Sequence, residues 1–433
     1  MKRSIETYSI NNAQTLKKQM LNWCNRFNIC VFLDNHHYTS SYSSIECIAA
    51  AGAINTFVPA TEALALKEFK EFCAKHKNDW LFGHVAYDFK NTISPGFSSS
   101  HFDGIKFENI LFFQPEVVLK LSANSLIIES LTQAPDVIYK EITAQDEPLV
   151  NNTYSQFNIT PRISKADYIE TIKRLKQHIL RGDCYEINFC QEFYAENVVI
   201  DANQVYDRLT NISPNPFACF YKANDKYLLC ASPERYLKKT GNKIISQPIK
   251  GTNKRDLQEQ AGDEKLKQEL YNSTKDRSEN VMVVDLVRND LSRVCKQGTV
   301  HVEELFGIYT FPQVHQMIST IAGELKDDID FADILQATFP MGSMTGAPKK
   351  KVIELTEQYE QSKRGLYAGT VGYINPDNDF DFNVVIRSIQ YNATNKYLSY
   401  QVGGGITYNS DPKNEYEECL LKAEAMRKVL AMY

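Results

Sequence analysis

Apolar residues recur along the chain at two spacings, and each predicts a different element. Ser164, with Asp167 three residues on, forms a helix start; Tyr168, Ile172, Leu175 and Ile179 then follow three to four residues apart up to Gly182. This is one amphipathic helix, capped at its start and ended by a glycine. Over 184–194 the period becomes two: Tyr185, Ile187, Phe189, Gln191 and Phe193 alternate with Cys184, Glu186, Asn188, Cys190 and Glu192, which predicts a strand with one polar face. The same reasoning places strands at 110–113, 116–121, 227–230, 243–246, 300–304, 315–325, 366–374, 380–391 and 396–401, and helices at 62–76, 263–294, 331–338, 348–360 and 414–430. Strand pairs joined by short polar turns, as around NPDND and NATNK, stand beside separate helices, so the predicted class is α+β with a largely antiparallel sheet. One seam interrupts the pattern, at 133–163, where Pro, Asn, Asp and Gln gather with little periodicity. Before it the chain carries few convergent polar groups.

Composition narrows the function classes. The 48 basic and 53 acidic side chains of the 433 residues leave a formal charge of -5, so no positive field is available for a nucleic-acid backbone or an acidic membrane surface. Hydrophobic residues at 43% and charged residues at 23% describe a compact folded protein. The start, MKRSIETYSINN, has no apolar segment behind its basic residues, and the longest low-charge stretch, 47–66, is broken by Asn55, Thr56, Pro59 and Glu62. Ten cysteines are scattered singly from Cys24 to Cys419, and the His36-His37 pair has no zinc-ligand spacing to them. They read as reduced core thiols, and the chain as cytoplasmic.

Two acidic pairs, Asp276 with Glu279 and Glu415 with Glu418, each occupy i and i+3 of a predicted helix. Solvated helix faces are the simpler explanation of that spacing. If the helices faced each other, four carboxylates would converge and need a cation, and oxygen donors suit Mg²⁺. Lys422, one turn beyond Glu418, could neutralise the group or hold an anion. The segment 342–349, GSMTGAPK, is a small-residue loop before a helix, able to offer N–H groups and hydroxyls to an anion or simply to start that helix. Gly403, Gly404 and Gly405 end a predicted strand and allow a ligand, or a turn, close to the backbone. Arg387 lies among apolar residues and needs an anionic partner from the protein or a substrate. His315, taken alone, reads as a core histidine. Lys250 stands between an apolar residue and a glycine at a strand end, where it is either a snorkelling lysine or a desolvated, nucleophilic amine.

The segments SPERY, PIKGT, DRSENVMVVDLVRNDLSRV, FPQVHQMIST, GSMTGAPK, RGLYAGTVGY, IRS, GGGI and EYEECLLKA occur in one order after the seam. In these the chain resembles the chorismate-utilising enzymes. The resemblance implies a large, mainly antiparallel β-sandwich flanked by helices. Residues 1–150 would be packed into the same architecture, and 160–433 would form the chorismate-binding catalytic domain. It implies that Glu279 and Glu418 are direct Mg²⁺ ligands, with Asp276 and Glu415 reaching the ion largely through water, and that Lys422 supports the ring carboxylate bound there. Tyr367, Arg387 and the backbone of Gly403, Gly404 and Gly405 would hold the enolpyruvyl carboxylate, with His315 and Thr345 beside the ring. Glu234 matches the general acid that assists loss of the ring hydroxyl.

Lys250 separates the branches of the family. Anthranilate synthases resemble this chain but carry Ala in Pro-Ile-x-Gly-Thr, whereas members that aminate chorismate at C4 carry Lys, which can attack C2 before ammonia enters at C4. The expected activity is therefore formation of 4-amino-4-deoxychorismate, a precursor of 4-aminobenzoate, with ammonia from a separate glutamine amidotransferase subunit. C2 amination, or a non-catalytic scaffold binding the glutaminase, are the competing readings. Isochorismate and salicylate synthases place a water-activating Lys where Glu186 stands, which disfavours water as nucleophile. VFLDN replaces the Leu-Leu-Glu-Ser motif of tryptophan-inhibited relatives, which puts feedback by tryptophan in doubt.

Overall fold

A computed structural model describes residues 2–38, 46–94, 96–145 and 157–432. Every ladder between its named strands is antiparallel, and the strands form two packed layers. In one, Ile29–Asp34 pairs with Cys47–Phe57 and with Phe217–Ala223, and the ladder continues through Lys226–Ser232, Ser388–Asn392 and Tyr397–Ile406 to Glu186–Ala195. In the other, Leu81–Val85 pairs with Thr370–Ile374, followed by Phe380–Asn383, Arg235–Thr240, Lys243–Gln247 and Val314–Glu324. The 13-residue strand Ile110–Ser122 joins them, pairing with both Cys47–Phe57 and Leu81–Val85.

Alternation along the strands explains the layering. Val31, Phe82, Phe113, Val118, Tyr221, Leu228 and Val371 fill the space between the sheets. Their neighbours point the other way, Cys30, Phe32, Val117 and Leu119 toward one helical layer and Phe112 toward another. The first layer is built on helices that include Ala13–Cys24, Lys165–Leu180 and Ala202–Ile212; the second includes Ala65–Lys75, Thr274–Val294 and Phe331–Thr338. Strands from before the seam thus share sheets with strands from after it. Part of the seam, 146–156, lies outside the described residues.

Several boundaries differ from the sequence pattern for local reasons. The expected helix 263–294 is two helices, Gln260–Asn272 and Thr274–Val294, because Ser273 caps the second, its hydroxyl accepting from the Asp276 N–H at 3.3 Å. The expected strand 380–391 breaks into Phe380–Asn383 and Ser388–Asn392, since Arg387 adopts φ 50° and leaves the ladder. The two expected strands at 110–113 and 116–121 are one. Gly403 to Gly405 lie inside the paired strand Tyr397–Ile406 rather than at its end. All ten cysteines are free, and among the described residues no helix is long and apolar enough to cross a membrane.

Candidate active site

One wall of the site is the ladder between Glu186–Ala195 and Tyr397–Ile406, where Gly405 faces Asn188, Gly404 faces Phe189 and Gly403 faces Cys190. The polar side chains of the first strand, Glu186, Asn188 and Glu192, are all buried. The GSMT loop supports this wall. Gly346 and Ala347 pair with Ile187 and Glu186, the Asn188 N–H donates to Thr345 O at 2.7 Å, and its side-chain amide donates to Ser343 O at 3.1 Å. Part of the loop's hydrogen-bonding capacity is turned inward. The Met344 and Thr345 N–H groups donate to the Met341 and Gly342 carbonyls, and the Thr345 hydroxyl donates to Met341 O at 3.0 Å.

Lys250, on the strand Ile249–Lys254, reaches this wall and meets Glu186, Nζ to Oε1 2.5 Å. Gly405 makes room for the contact: a Cβ there would strike Glu186 Oε1 and stand 2.7 Å from Lys250 Nζ. Burial works against charge on Lys250, but the carboxylates of Glu186, Glu279 and Glu234 outweigh it and hold the ammonium well above the usual lysine range. The lysine neither snorkels to water nor stands alone in an apolar setting; it is held in an ion pair with Glu186. Its neighbour Gly251 has φ 94°, and a Cβ there would sit 2.9 Å from the Asp276 Cβ, so the strand passes directly under the helix Thr274–Val294.

Glu234 is buried, its backbone fixed by Ser232 Oγ and the Val384 N–H. Burial pushes its carboxyl up to about 7, against hydrogen bonds from Ser343 and the Ile249 N–H and the charges of Lys250 and Arg387. A carboxyl so placed keeps its proton near neutrality and can donate it. Burial lowers the Arg387 guanidinium to about 10, offset only by Glu234, and no hydrogen bond or ion pair from a described side chain engages it. At about 10 it stays charged at neutral pH.

The two acidic helices, Thr274–Val294 and Pro412–Lys422, are close enough for Lys275 to feel the charge of all four carboxylates, Glu279, Glu415, Glu418 and Asp276. Lys422 Nζ lies 2.9 Å from Glu418 Oε1 and 3.1 Å from Gly403 O, and its charge is the main reason that the Glu418 carboxyl is held below its usual range. Burial raises Glu415, and it pushes Glu279 up to about 7. Glu279 Oε1 is buried with no hydrogen-bond partner, only Lys275 at 4.0 Å. Among the described residues no three His, Cys, Asp or Glu side chains converge into a ready metal cage. The donor set still fits Mg²⁺, which takes one or two direct carboxylates and completes its shell with water and substrate oxygens.

His315 lies on the strand Val314–Glu324, which pairs with the strand that carries Lys250. It pairs across the ladder with Asn253, and its ring nitrogens are engaged by Asp263 at 2.9 Å and Thr310 at 3.0 Å. Tyr367 is buried with its hydroxyl 3.8 Å from Cys190 Sγ, opposite Gly403. Two residues at the site went unassigned from sequence. Lys275 carried only its adjacency to Asp276 as a signal, whereas Glu186 carried two, its position on the polar side of the alternating strand and its place where relatives have a water-activating Lys, and neither gave it a role in this chain.

A family model described as chorismate binding enzyme matches residues 29–428. Aminodeoxychorismate synthase component 1 of Bacillus subtilis is 37% identical over 265 residues, 61% of this chain and 56% of that protein. The Salmonella typhimurium protein of the same name is 35% identical over 316 residues, 70% of this chain and 68% of its own length. Among solved structures, anthranilate synthase component I of Streptococcus pneumoniae superposes with a TM-score of 0.76 at 22% identity, covering 90% of this chain and 95% of that one. The menaquinone-specific isochorismate synthase of Escherichia coli gives 0.76 at 16%, covering 99% and 95%. At such identities the structures establish the shared fold alone.

Proposed function

The chain belongs to the chorismate-binding enzyme family, and we propose that it aminates chorismate at C4 to 4-amino-4-deoxychorismate, with Mg²⁺ and with ammonia from a separate glutaminase subunit. The observation that carries this reading is Lys250, paired with Glu186 and close enough to the buried Glu234 for the two charges to act on each other. The activity is the one named for its Bacillus and Salmonella relatives.

Glu279 and Glu418 would hold the Mg²⁺, with Asp276 and Glu415 reaching it through water. When bound, the ion neutralises and orients the ring carboxylate of chorismate. Lys422 supports that carboxylate from its place between Glu418 and Gly403 O. Arg387 pairs with the enolpyruvyl carboxylate, helped by Tyr367 and the Gly403 to Gly405 backbone, and Thr345 lies beside the ring. The Lys250 amine attacks C2, both ring double bonds shift, and the C4 hydroxyl leaves as water with a proton from Glu234. Ammonia then adds at C4, the double bonds shift back, and Lys250 leaves C2. Glu234 recovers its proton from the new ammonium group.

Burial raises the pKa of all ten thiols, with Cys184 and Cys295 pushed up to about 11 and others higher. None has the depressed pKa of a glutaminase nucleophile, so the isolated chain is expected to use ammonium salts but not glutamine until a glutaminase is added. The deciding experiment incubates purified protein with chorismate, Mg²⁺ and ammonium and identifies the product. The C4 amine, seen as 4-aminobenzoate once a lyase is added, is expected, and Lys250→Ala should slow it at least ~100-fold. Anthranilate as the main product, or an unchanged rate in Lys250→Ala, would overturn the proposal.

A further inference from the structure

A nucleophilic lysine must first lose a proton, and an ammonium locked in an ion pair has none to spare for bulk water. Glu186 is the side chain in contact with it, and it is almost wholly enclosed, its side chain 3% exposed beside an 11% exposed lysine. The second oxygen, Oε2, is buried with no hydrogen-bond partner. A buried carboxylate with one oxygen on the amine and the other unused is a proton acceptor poised at the reacting atom. Backbone geometry holds it there. Glu186 pairs with Ala347, the next residue, Ile187, pairs with both Gly346 and Ile406, and the preceding Tyr185 N–H donates to Ala347 O at 2.8 Å.

We propose that Glu186 is the general base that takes the proton from Lys250, so that one shared proton passes within the pair instead of going to solvent. This rests on the reaction proposed above. The step balances: Lys250 ammonium and Glu186 carboxylate become amine and carboxylic acid, and the amine then forms its bond to C2. Meanwhile Glu234 protonates the departing C4 hydroxyl. When ammonia has added at C4 and Lys250 leaves as a neutral amine, Glu186 returns the proton. The other groups facing Lys250 are unsuited to the task. Glu234 is committed to the hydroxyl, and Glu279 and Glu418, on the two acidic helices, act on Lys250 only through space, with no oxygen within ion-pair distance.

The test compares Glu186→Gln with wild type between pH 7 and 9, with free ammonia held constant. Glutamine keeps the size and can still hydrogen-bond the lysine but cannot accept its proton. Glu234 and ammonia titrate alike in both proteins, so the ratio of variant to wild-type kcat/KM isolates the lysine. The expected ratio is about 10⁻² or lower at pH 7 and rises with pH, approaching about tenfold per unit, because the variant must lose the proton to solvent. Glu186→Asp keeps a carboxylate and should be slower than wild type with no such slope. A merely structural role would give a loss without a pH slope. C4 product from the wild type beside a Glu186→Gln ratio near one, or one independent of pH, would overturn the base role alone. Anthranilate from the wild type would overturn the reaction and the role together.

Discussion

Two buried charge clusters meet at the strand Glu186–Ala195, and they differ in how completely the chain pairs them. Arg364 is saturated. It binds both oxygens of Glu360 at 2.9 and 2.6 Å, donates to Met344 O and Asn188 O at 2.8 Å, and lies over the Tyr87 ring at 4.2 Å. Fully buried Lys90 is paired with Glu357 at 2.8 Å and Asp88 at 3.4 Å nearby. On the other side, among the described residues, the Arg387 side chain has no hydrogen-bonded partner, and Glu279 Oε1 and Glu186 Oε2 are orphaned. Buried charge is costly unless it is paired. The first cluster is therefore completed by the fold and ties the GSMT loop to the wall strand. The second is left incomplete where a cation and a substrate dianion would complete it.

The largest effect that sharpens this contrast falls on Glu279. Glu279→Gln should cut turnover of chorismate by more than ~1000-fold, about 4 kcal/mol in the barrier, with little loss of stability in urea, because the buried Glu279 Oε1 has no hydrogen bond to lose and burial already disfavours its charge. EDTA should do the same reversibly. Full activity in EDTA would break the assignment of the incomplete cluster to a cation.

Arg364→Met should do the reverse. Glu360 would be left buried and unpaired, so unfolding free energy should fall by about 3–5 kcal/mol, while any remaining activity gives the same product. A loss under about 1 kcal/mol would mean that Arg364 is no more structural than Arg387.

How much of this contrast the sequence carries depends on the range of the interaction. Ser164 and its helix, the 331–338 helix and the alternation at 184–194 are local patterns, and each appears as read. Alternation also puts Glu186 and Asn188 on one face, but not that this face turns into a closed cleft rather than to water. Its contact with Lys250 spans 64 residues and is set by strands pairing far from either. Likewise, i,i+3 spacing put each acidic pair on one helix side, and only tertiary packing brings Lys275 within reach of both pairs. The break at Arg387 is hidden because VVIRSI reads as continuous strand until the chain takes a positive φ there. Motif order alone singles out residues whose local sequence says nothing, His315 and Tyr367 among them.

Arg387→Met tests the incomplete side more gently. Losing a cation that no protein anion binds should leave stability unchanged or slightly higher. The value of kcat/KM for chorismate should fall about 100-fold, near 2.7 kcal/mol, chiefly through KM. A stability loss like that of Arg364→Met would show that Glu234 or another internal group already satisfies it.

The smallest expected effect is a slope. Burial raises Glu234 from an ordinary 4.5 to about 7 in the folded chain, so between those values the folded state holds a proton that the unfolded state has lost. Its contribution to stability is complete below about pH 4.5, declines as pH rises, and is gone above about 7. Plots of unfolding free energy against pH, without Mg²⁺ or substrate, should descend through this window. In Glu234→Gln the descent should be shallower by at most about 1.4 kcal/mol per pH unit, with the remaining slope coming from Glu279, raised to the same range for the same reason. In the wild-type enzyme, kcat/KM at constant free ammonia should also fall above pH 7, as the acid that protonates the leaving hydroxyl empties. Identical slopes in both proteins would mean that Glu234 is hydrated and ordinary in solution. It would then lack the proton its role demands, and the difference between a completed and an incomplete cluster would lose its most direct chemical expression.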